Sequence, residues 1–314
     1  MTFRAEKTII VSHKLLMKSF RFLITLLCLQ SAAMAQTQTT EIWLLDVAQK
    51  EGNVVVTNPY RVTQNEYYDN QPSFSKDGQF LYYASMPDTT QSDIYEFHIR
   101  KKIVRQVTNT PESEFQPQVM PYGKNKVSIV RVEMEKAQRF YQLDLGDSNI
   151  EPLMDNEDSI AYYCWINDTT VGAYFLDGKG GMLEQFDMKP QQAIILMYGG
   201  FGRCIATIPG TQLMTYVQKG SDKKFQLMQY DMTTEERMPI CEMPEGVEDY
   251  CWGPDGKIYC GDKGVLYMYD TKKEDKPMWI PIGDFNEKIG HFYRMAMNVV
   301  GDKIAIVSYK GERP

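Results

Sequence analysis

Histidine is nearly missing from this chain, with three in 314 residues, so a histidine-rich metal centre is excluded. Positive charge is in deficit: 34 Lys and Arg stand against 41 Asp and Glu, a formal net charge of −7. A broad nucleic-acid footprint needs clustered positive charge and is excluded with it. No Cys-x-x-Cys pair occurs, which removes support for zinc-knuckle and thioredoxin-type chemistry. A nucleophile elbow, a P-loop and an HExxH helix are all lacking. Long helical periodicity is absent after residue 36, and no later apolar run approaches the roughly 18 residues of a membrane helix.

What is present begins with a leader. Residues 17–36 read MKSFRFLITLLCLQSAAMAQ, with Lys18 and Arg21 ahead of a short apolar core at 22–29. Ala33-Met34-Ala35 is a small-x-small cleavage site before Gln36, the pattern of a secretory signal peptide. Met17 opens a signal of normal length, so translation is expected to start there, with 1–35 removed and 36–314 forming one domain. A periplasmic or secreted protein is expected, with no membrane span left after cleavage. The mature chain keeps 29 basic and 40 acidic side chains.

Five cysteines remain in it: Cys164, Cys204, Cys241, Cys251 and Cys260. Cys251 and Cys260 flank Asp255-Gly256 symmetrically, so a two-residue hairpin would set them opposite each other and permit a disulfide. Buried free thiols are the favoured expectation, because cysteine packs as a small hydrophobe.

The dominant feature is a repeat. Residues 62–74, VTQNEYYDNQPSF, and 107–119, VTNTPESEFQPQV, carry Val-Thr, Gln-Pro and an apolar residue in one register. Turn signals fall at Gly78, Gly123, Asp168, Gly210, Gly256 and Gly301, spaced 45, 45, 42, 46 and 45 residues apart. Glycine and Asx residues suit tight hairpins because those turns demand positive φ or side-chain bonds to the backbone. Short alternating or apolar segments follow each turn, as at 93–99, 139–145, 182–188, 225–232 and 265–270. Four short strands in about 45 residues make a propeller blade. Five units are complete and a sixth is split: 292–300 and 303–310 supply its first two strands, 41–47 and 53–63 its last two. The expected fold is all-β: a six-bladed β-propeller of four-stranded blades, its sixth blade closed by N- and C-terminal strands together.

QPSFSKDGQFLYYAS, then SDIYEFHI and IVRQVT, within 71–108, resembles the repeat of TolB-type six-bladed propellers. As a period the resemblance runs over 41–310; residue by residue it is close in the first blade and looser in the second and fifth. It implies the propeller fold. TolB carries a further N-terminal α/β domain, whereas here the propeller follows the leader directly, so TolB's partner does not carry over.

In such a blade the loops from outer strand to next inner strand share one face. Those six loops hold 13 acids against Arg203 and Lys288. Aromatics interleave with them. The candidate binding residues are Glu66, Tyr68, Glu114, Phe115, Asp158, Tyr162, Arg203, Asp249, Tyr250, His291 and Tyr293. Acids beside exposed aromatics suit a cationic or polyhydroxylated partner; solvated acids with aromatics packed between blades remain the plainer alternative. The sequence thus points to a non-enzymatic, monomeric binding or scaffold propeller of the cell envelope, engaging a protein or a glycan. Two alternatives stay open: a carbohydrate-active enzyme with loop carboxylates such as Glu114 and Asp249 as acid and base, and a TolB-like envelope interaction protein. No cofactor is expected. Residues 155–158 are acidic but lack the alternating spacing of a calcium loop, so no metal is expected either.

Overall fold

The computed structural model describes residues 39–64, 66–88, 90–154, 159–273 and 277–310. The expected leader and cleavage site, Met17 and the acidic segment that contains Asp158 lie outside the described residues.

Among the described residues twenty-four strands form six four-stranded antiparallel sheets. Blade 1 is β3 (Tyr68–Phe74), β4 (Phe80–Met86), β5 (Asp93–His98) and β6 (Ile103–Gln106). Blade 2 is β7 (Ser113–Val119), β8 (Lys126–Val132), β9 (Gln138–Asp144) and β10 (Ile150–Pro152). Blade 3 is β11 (Ile160–Trp165), β12 (Thr170–Phe175), β13 (Met182–Asp187) and β14 (Gln192–Tyr198). Blade 4 is β15 (Phe201–Thr207), β16 (Leu213–Lys219), β17 (Phe225–Asp231) and β18 (Arg237–Glu242). Blade 5 is β19 (Tyr250–Trp252), β20 (Lys257–Asp262), β21 (Val265–Asp270) and β22 (Ile280–Asp284). Blade 6 is β23 (Phe292–Met297), β24 (Lys303–Tyr309), β1 (Thr40–Lys50) and β2 (Asn53–Arg61), in that spatial order. The ring therefore closes as the split repeat predicts, with Ile42 opposite Val307 and Leu44 opposite Ala305. Closure by strand pairing leaves no open sheet edge at the seam.

The second strand of each blade is covered on both faces, which is why stretches such as Ile304-Ala305-Ile306-Val307 read as continuous apolar runs rather than alternation. Six apolar clusters result, one at each blade–blade interface. Leu45, Ile304 and Ile306 of blade 6, for example, pack with Tyr259 and Leu266 of blade 5. Each fully buried Leu or Ile contributes about 1.5–3 kcal/mol to holding neighbouring blades together.

Two of these interfaces share a polar staple. The sequence Tyr-Cys-Trp occurs on inner strands β11 and β19. Trp165 Nε1 donates to Ser128 Oγ at 2.8 Å, and the Tyr163 hydroxyl lies 2.9 Å from the same oxygen. Trp252 Nε1 donates to Thr215 Oγ1 at 3.0 Å, with the Tyr250 hydroxyl at 2.7 Å. One hydroxyl on the preceding blade thus satisfies two aromatic polar groups that burial would otherwise leave unpaired.

The turn of blade 5 corrects the disulfide geometry. The Gly253 amide donates to the Lys257 carbonyl, leaving a three-residue loop in which Gly256 takes φ +84°. The pairing shifts by one residue: Tyr250 faces Cys260 and Cys251 faces Tyr259. A one-residue shift sends the two side chains to opposite faces of the sheet, so Cys251 packs toward blade 6 and Cys260 toward blade 4. The five cysteines among the described residues are free thiols, and of these only Cys204 is not buried.

Candidate ligand site at the channel mouth

The six inner strands enclose an axial channel of about 470 Å³. Each blade places one polar or aromatic residue on its wall near the start of the inner strand: Gln71, Gln116, Tyr162, Arg203, Asp249 and Arg294. In five of the six blades the pairing between the first two strands is irregular close to this point, and the bulge turns the side chain inward. The Gln-Pro pair of the repeat has its physical role here. Gln71 and Gln116 take φ of +58° and +52°, and the Gln71 side-chain oxygen accepts the Gln116 amide at 2.8 Å, linking blade 1 to blade 2.

On the other side of the mouth the wall is charged. Arg203 grips Asp249 across the blade 4–5 boundary, with Nε 3.2 Å from Oδ1 and Nη2 2.5 Å from Oδ2. Arg294 Nε stands 3.8 Å from Asp249 Oδ1, and its Nη1 donates to Asn70 Oδ1 at 3.1 Å. Asn70 in turn donates from Nδ2 to the Tyr293 hydroxyl at 2.6 Å. The Arg203 guanidinium lies 5.2 Å from the Tyr293 ring centre, and that of Arg294 lies 5.4 Å from Tyr162 and 6.0 Å from Tyr293. Cation–π contacts of this kind are worth about 0.5–2 kcal/mol each.

Burial works against both guanidinium charges, yet the Asp249 carboxylate outweighs it and holds both pKa values above the ordinary arginine value. Burial pushes the Tyr293 phenol up to about 12, with Arg294 pulling the other way, and raises Tyr68 too. The mouth therefore carries two permanent cations, one carboxylate and neutral phenols. The adjoining Lys219–Glu248 pair, at 2.7 Å, cancels itself. An excess of one positive charge remains at a partly desolvated site, where it attracts an anion.

Of the residues expected to bind, the structure brings together Tyr68, Tyr162, Arg203, Asp249 and Tyr293. Phe115 touches this group edge-on, 6.4 Å from the Tyr68 ring centre. His291 borders a water-sized recess with Arg203, Asp249 and Tyr293. Glu66 is exposed on the surrounding loop. Tyr250 belongs to the channel lining but is buried, with its hydroxyl held in the staple to Thr215. Glu114 is fully buried as well, bonded to the Thr108 and Thr110 hydroxyls.

The uniformly acidic face expected from the loops is likewise corrected. Asp69, Glu114 and Asp249 are buried, and Glu112 pairs with Arg131 at 2.6 Å. Glu66, Glu242, Glu245, Asp284 and Glu287 are the acids of these loops that stay exposed. The physical reason is register: an acid at the start of an inner strand points into the ring, not to solvent.

Arg294 and Asn70 were not among the expected residues. Arg294 was within reach of the blade period, standing 45 residues after Asp249 as Asp249 stands 46 after Arg203. Asn70 had no signal of its own. Among the described residues no group of three or more His, Cys, Asp or Glu is placed to hold a metal ion, and no helix is long and apolar enough to cross a membrane.

No protein-family profile and no curated protein matches the sequence. Solved structures do match its shape. A putative TolB from Agrobacterium tumefaciens superposes with a TM-score of 0.63 at 12% identity, over 88% of this chain and 99% of that one. TolB from Acinetobacter baumannii gives 0.55 at 13%, over 92% and 69%. An oligogalacturonate lyase in complex with manganese gives 0.53 at 12%, over 85% and 86%. At such identities the likeness is one of fold, and in fold this chain is a TolB-like six-bladed β-propeller.

Proposed function

We propose that this chain is an exported binding propeller of the cell envelope, without catalytic activity, that receives an anionic group of a protein or glycan partner at the axial mouth. The observation that carries this is the convergence of Arg203 and Arg294 on one carboxylate, with tyrosine rings around them and a channel behind. The site suits an anion at its centre, a revision of the cationic partner that the loop acids suggest. The exposed loop acids then act by repelling polyanions that do not present one group on the axis.

The enzyme alternative has an acid and a base to place. Glu114 and Asp249 sit in separate networks, one among threonine hydroxyls in blade 2, the other held by arginine before β19. Neither stands free to shuttle a proton across a shared bond.

The test is calorimetric titration of residues 36–314 with oligogalacturonate, a polyanionic saccharide, and with an acidic peptide, at low and high salt. Salt-sensitive binding of one of them, weakened at least tenfold by Arg294→Gln, is the expected result. Binding unchanged in that variant removes the axial site. Depolymerisation of the saccharide by the wild-type chain removes the non-enzymatic assignment.

A further inference from the structure

A second recess, of about 370 Å³, lies away from the axis between blades 6 and 1. Its lining differs in kind from the channel mouth: it holds no carboxylate and one cation, Lys102. That ammonium sits 4.1 Å from the centre of the Tyr60 ring. Tyr60 closes one wall and stacks on Phe97 across the blade boundary at 6.0 Å. Tyr83 is 2% exposed and stacks on Tyr95 at 5.9 Å. Gln64, exposed just beyond β2, completes the rim.

The hydroxyls matter more than the rings. Those of Tyr60, Tyr83 and Tyr95 make no hydrogen bond among the described residues, while the comparable buried phenols of Tyr163 and Tyr250 are both bonded to neighbouring blades. A tyrosine buried as far as Tyr83 ordinarily finds a protein partner for its hydroxyl. Among the described residues Tyr83 has none, and it borders the recess. Burial raises its pKa, so the phenol stays protonated and can donate. Three phenols and a primary amide supply donors and acceptors in equal measure, with aromatic carbon between them. The single charge on the lining is the exposed Lys102 ammonium, which lies over the Tyr60 ring.

We propose that the recess between blades 6 and 1 is a binding site for a neutral saccharide, whose hydroxyls pair with those of Tyr60, Tyr83 and Tyr95 and with the Gln64 amide. It is separate from the axial mouth and does not depend on the function assigned there. The two sites would distinguish ligands by charge: an anion on the axis, an uncharged polyol at the seam.

The test uses residues 36–314 titrated with maltotriose, cellotriose and chitotriose, followed by tyrosine and tryptophan fluorescence and by calorimetry. Binding of at least one is expected. Tyr83→Phe keeps the ring stacking and removes only the hydroxyl, and should weaken that binding roughly 3- to 10-fold. Gln64→Ala, at an exposed position that leaves the core untouched, should weaken it as well. Arg294→Gln should leave it unchanged. Failure of all three saccharides to bind at millimolar concentration overturns the proposal. So does binding that survives both Tyr83→Phe and Gln64→Ala, or that is lost in Arg294→Gln.

Discussion

Asn70 and Arg294 meet at 3.1 Å although 224 positions separate them in the chain. One belongs to the first complete blade and the other to the blade built from both ends of the domain. Their contact therefore forms only when the ring closes, and it aims a guanidinium at the channel mouth. Asn70 also accepts the amide of Gln71, which opens the bulge toward blade 2.

Removing the Asn70 side chain should accordingly weaken both stability and the axial site. In Asn70→Ala the half-buried Arg294 and Tyr293 each lose a partner, and an unpaired buried group costs about 1–3 kcal/mol, so their partial exposure sets the loss toward the low end. A fall of that order in urea-unfolding free energy is expected, together with weaker anion binding. Unaltered stability would show that Asn70 is not what closes the seam.

Asp249 lies between Arg203 and Arg294, so Asp249→Asn should leave two neighbouring cations uncompensated. Breaking a buried pair costs about 3–5 kcal/mol. Arg203 is a third exposed, which places the expected loss at or below the low end of that range. Adding Arg294→Met to Asp249→Asn should return part of the lost stability, since one of the two repelling charges is gone. Strictly additive losses in denaturant unfolding would dismiss the electrostatic account.

Glu114 should make stability fall as pH rises. Burial lifts its carboxyl from 4.5 to about 7, despite the Thr110 and Thr108 hydroxyls that favour the charged form, and neighbouring Asp93 is raised as well. The folded state binds this proton more tightly than the unfolded state does. Its contribution is therefore complete below pH 4.5 and is lost as pH climbs through 7, on the order of 1–3 kcal/mol. Glu114→Gln should flatten that part of the stability profile. An identical pH dependence in the variant would mean that the carboxyl is not the titrating group.

Thiol chemistry gives an independent check on the blade 5 register. Burial pushes Cys164, Cys204 and Cys241 up to about 12, so the native protein should resist alkylation at neutral pH. Denaturation of residues 36–314 without reductant should release five reactive thiols. A linked Cys251–Cys260 peptide in a non-reducing digest would contradict the observed pairing.

Much of the architecture was legible because it is written locally and repeated. Gly78, Gly123, Gly210, Gly256 and Gly301 all take positive φ at the same point of successive blades, a conformation glycine adopts without steric cost. Blade 3 reaches the turn without glycine, through the Asn167 side chain accepting the Thr169 amide at 2.8 Å, which is why its spacing signal was an Asx residue. The split sixth blade followed from the same period. The site was legible only in part. Tyr68, Tyr162, Arg203, Asp249 and Tyr293 were found because they sit near loop ends, but so did Tyr250 and Glu114, which turn inward to bond with Thr215 and Thr108.

By itself, then, the sequence determined the blade period, the strands within each period and the way the ends share a blade, because turn residues and apolar runs act over a few positions of chain. The tertiary structure decided the sign of the central charge. Acids that are neighbours of solvent in the sequence become neighbours of arginine or threonine once six strand starts converge on one axis. The register of each inner strand, altered by single-residue bulges, selects which side chains meet there and which are buried between blades.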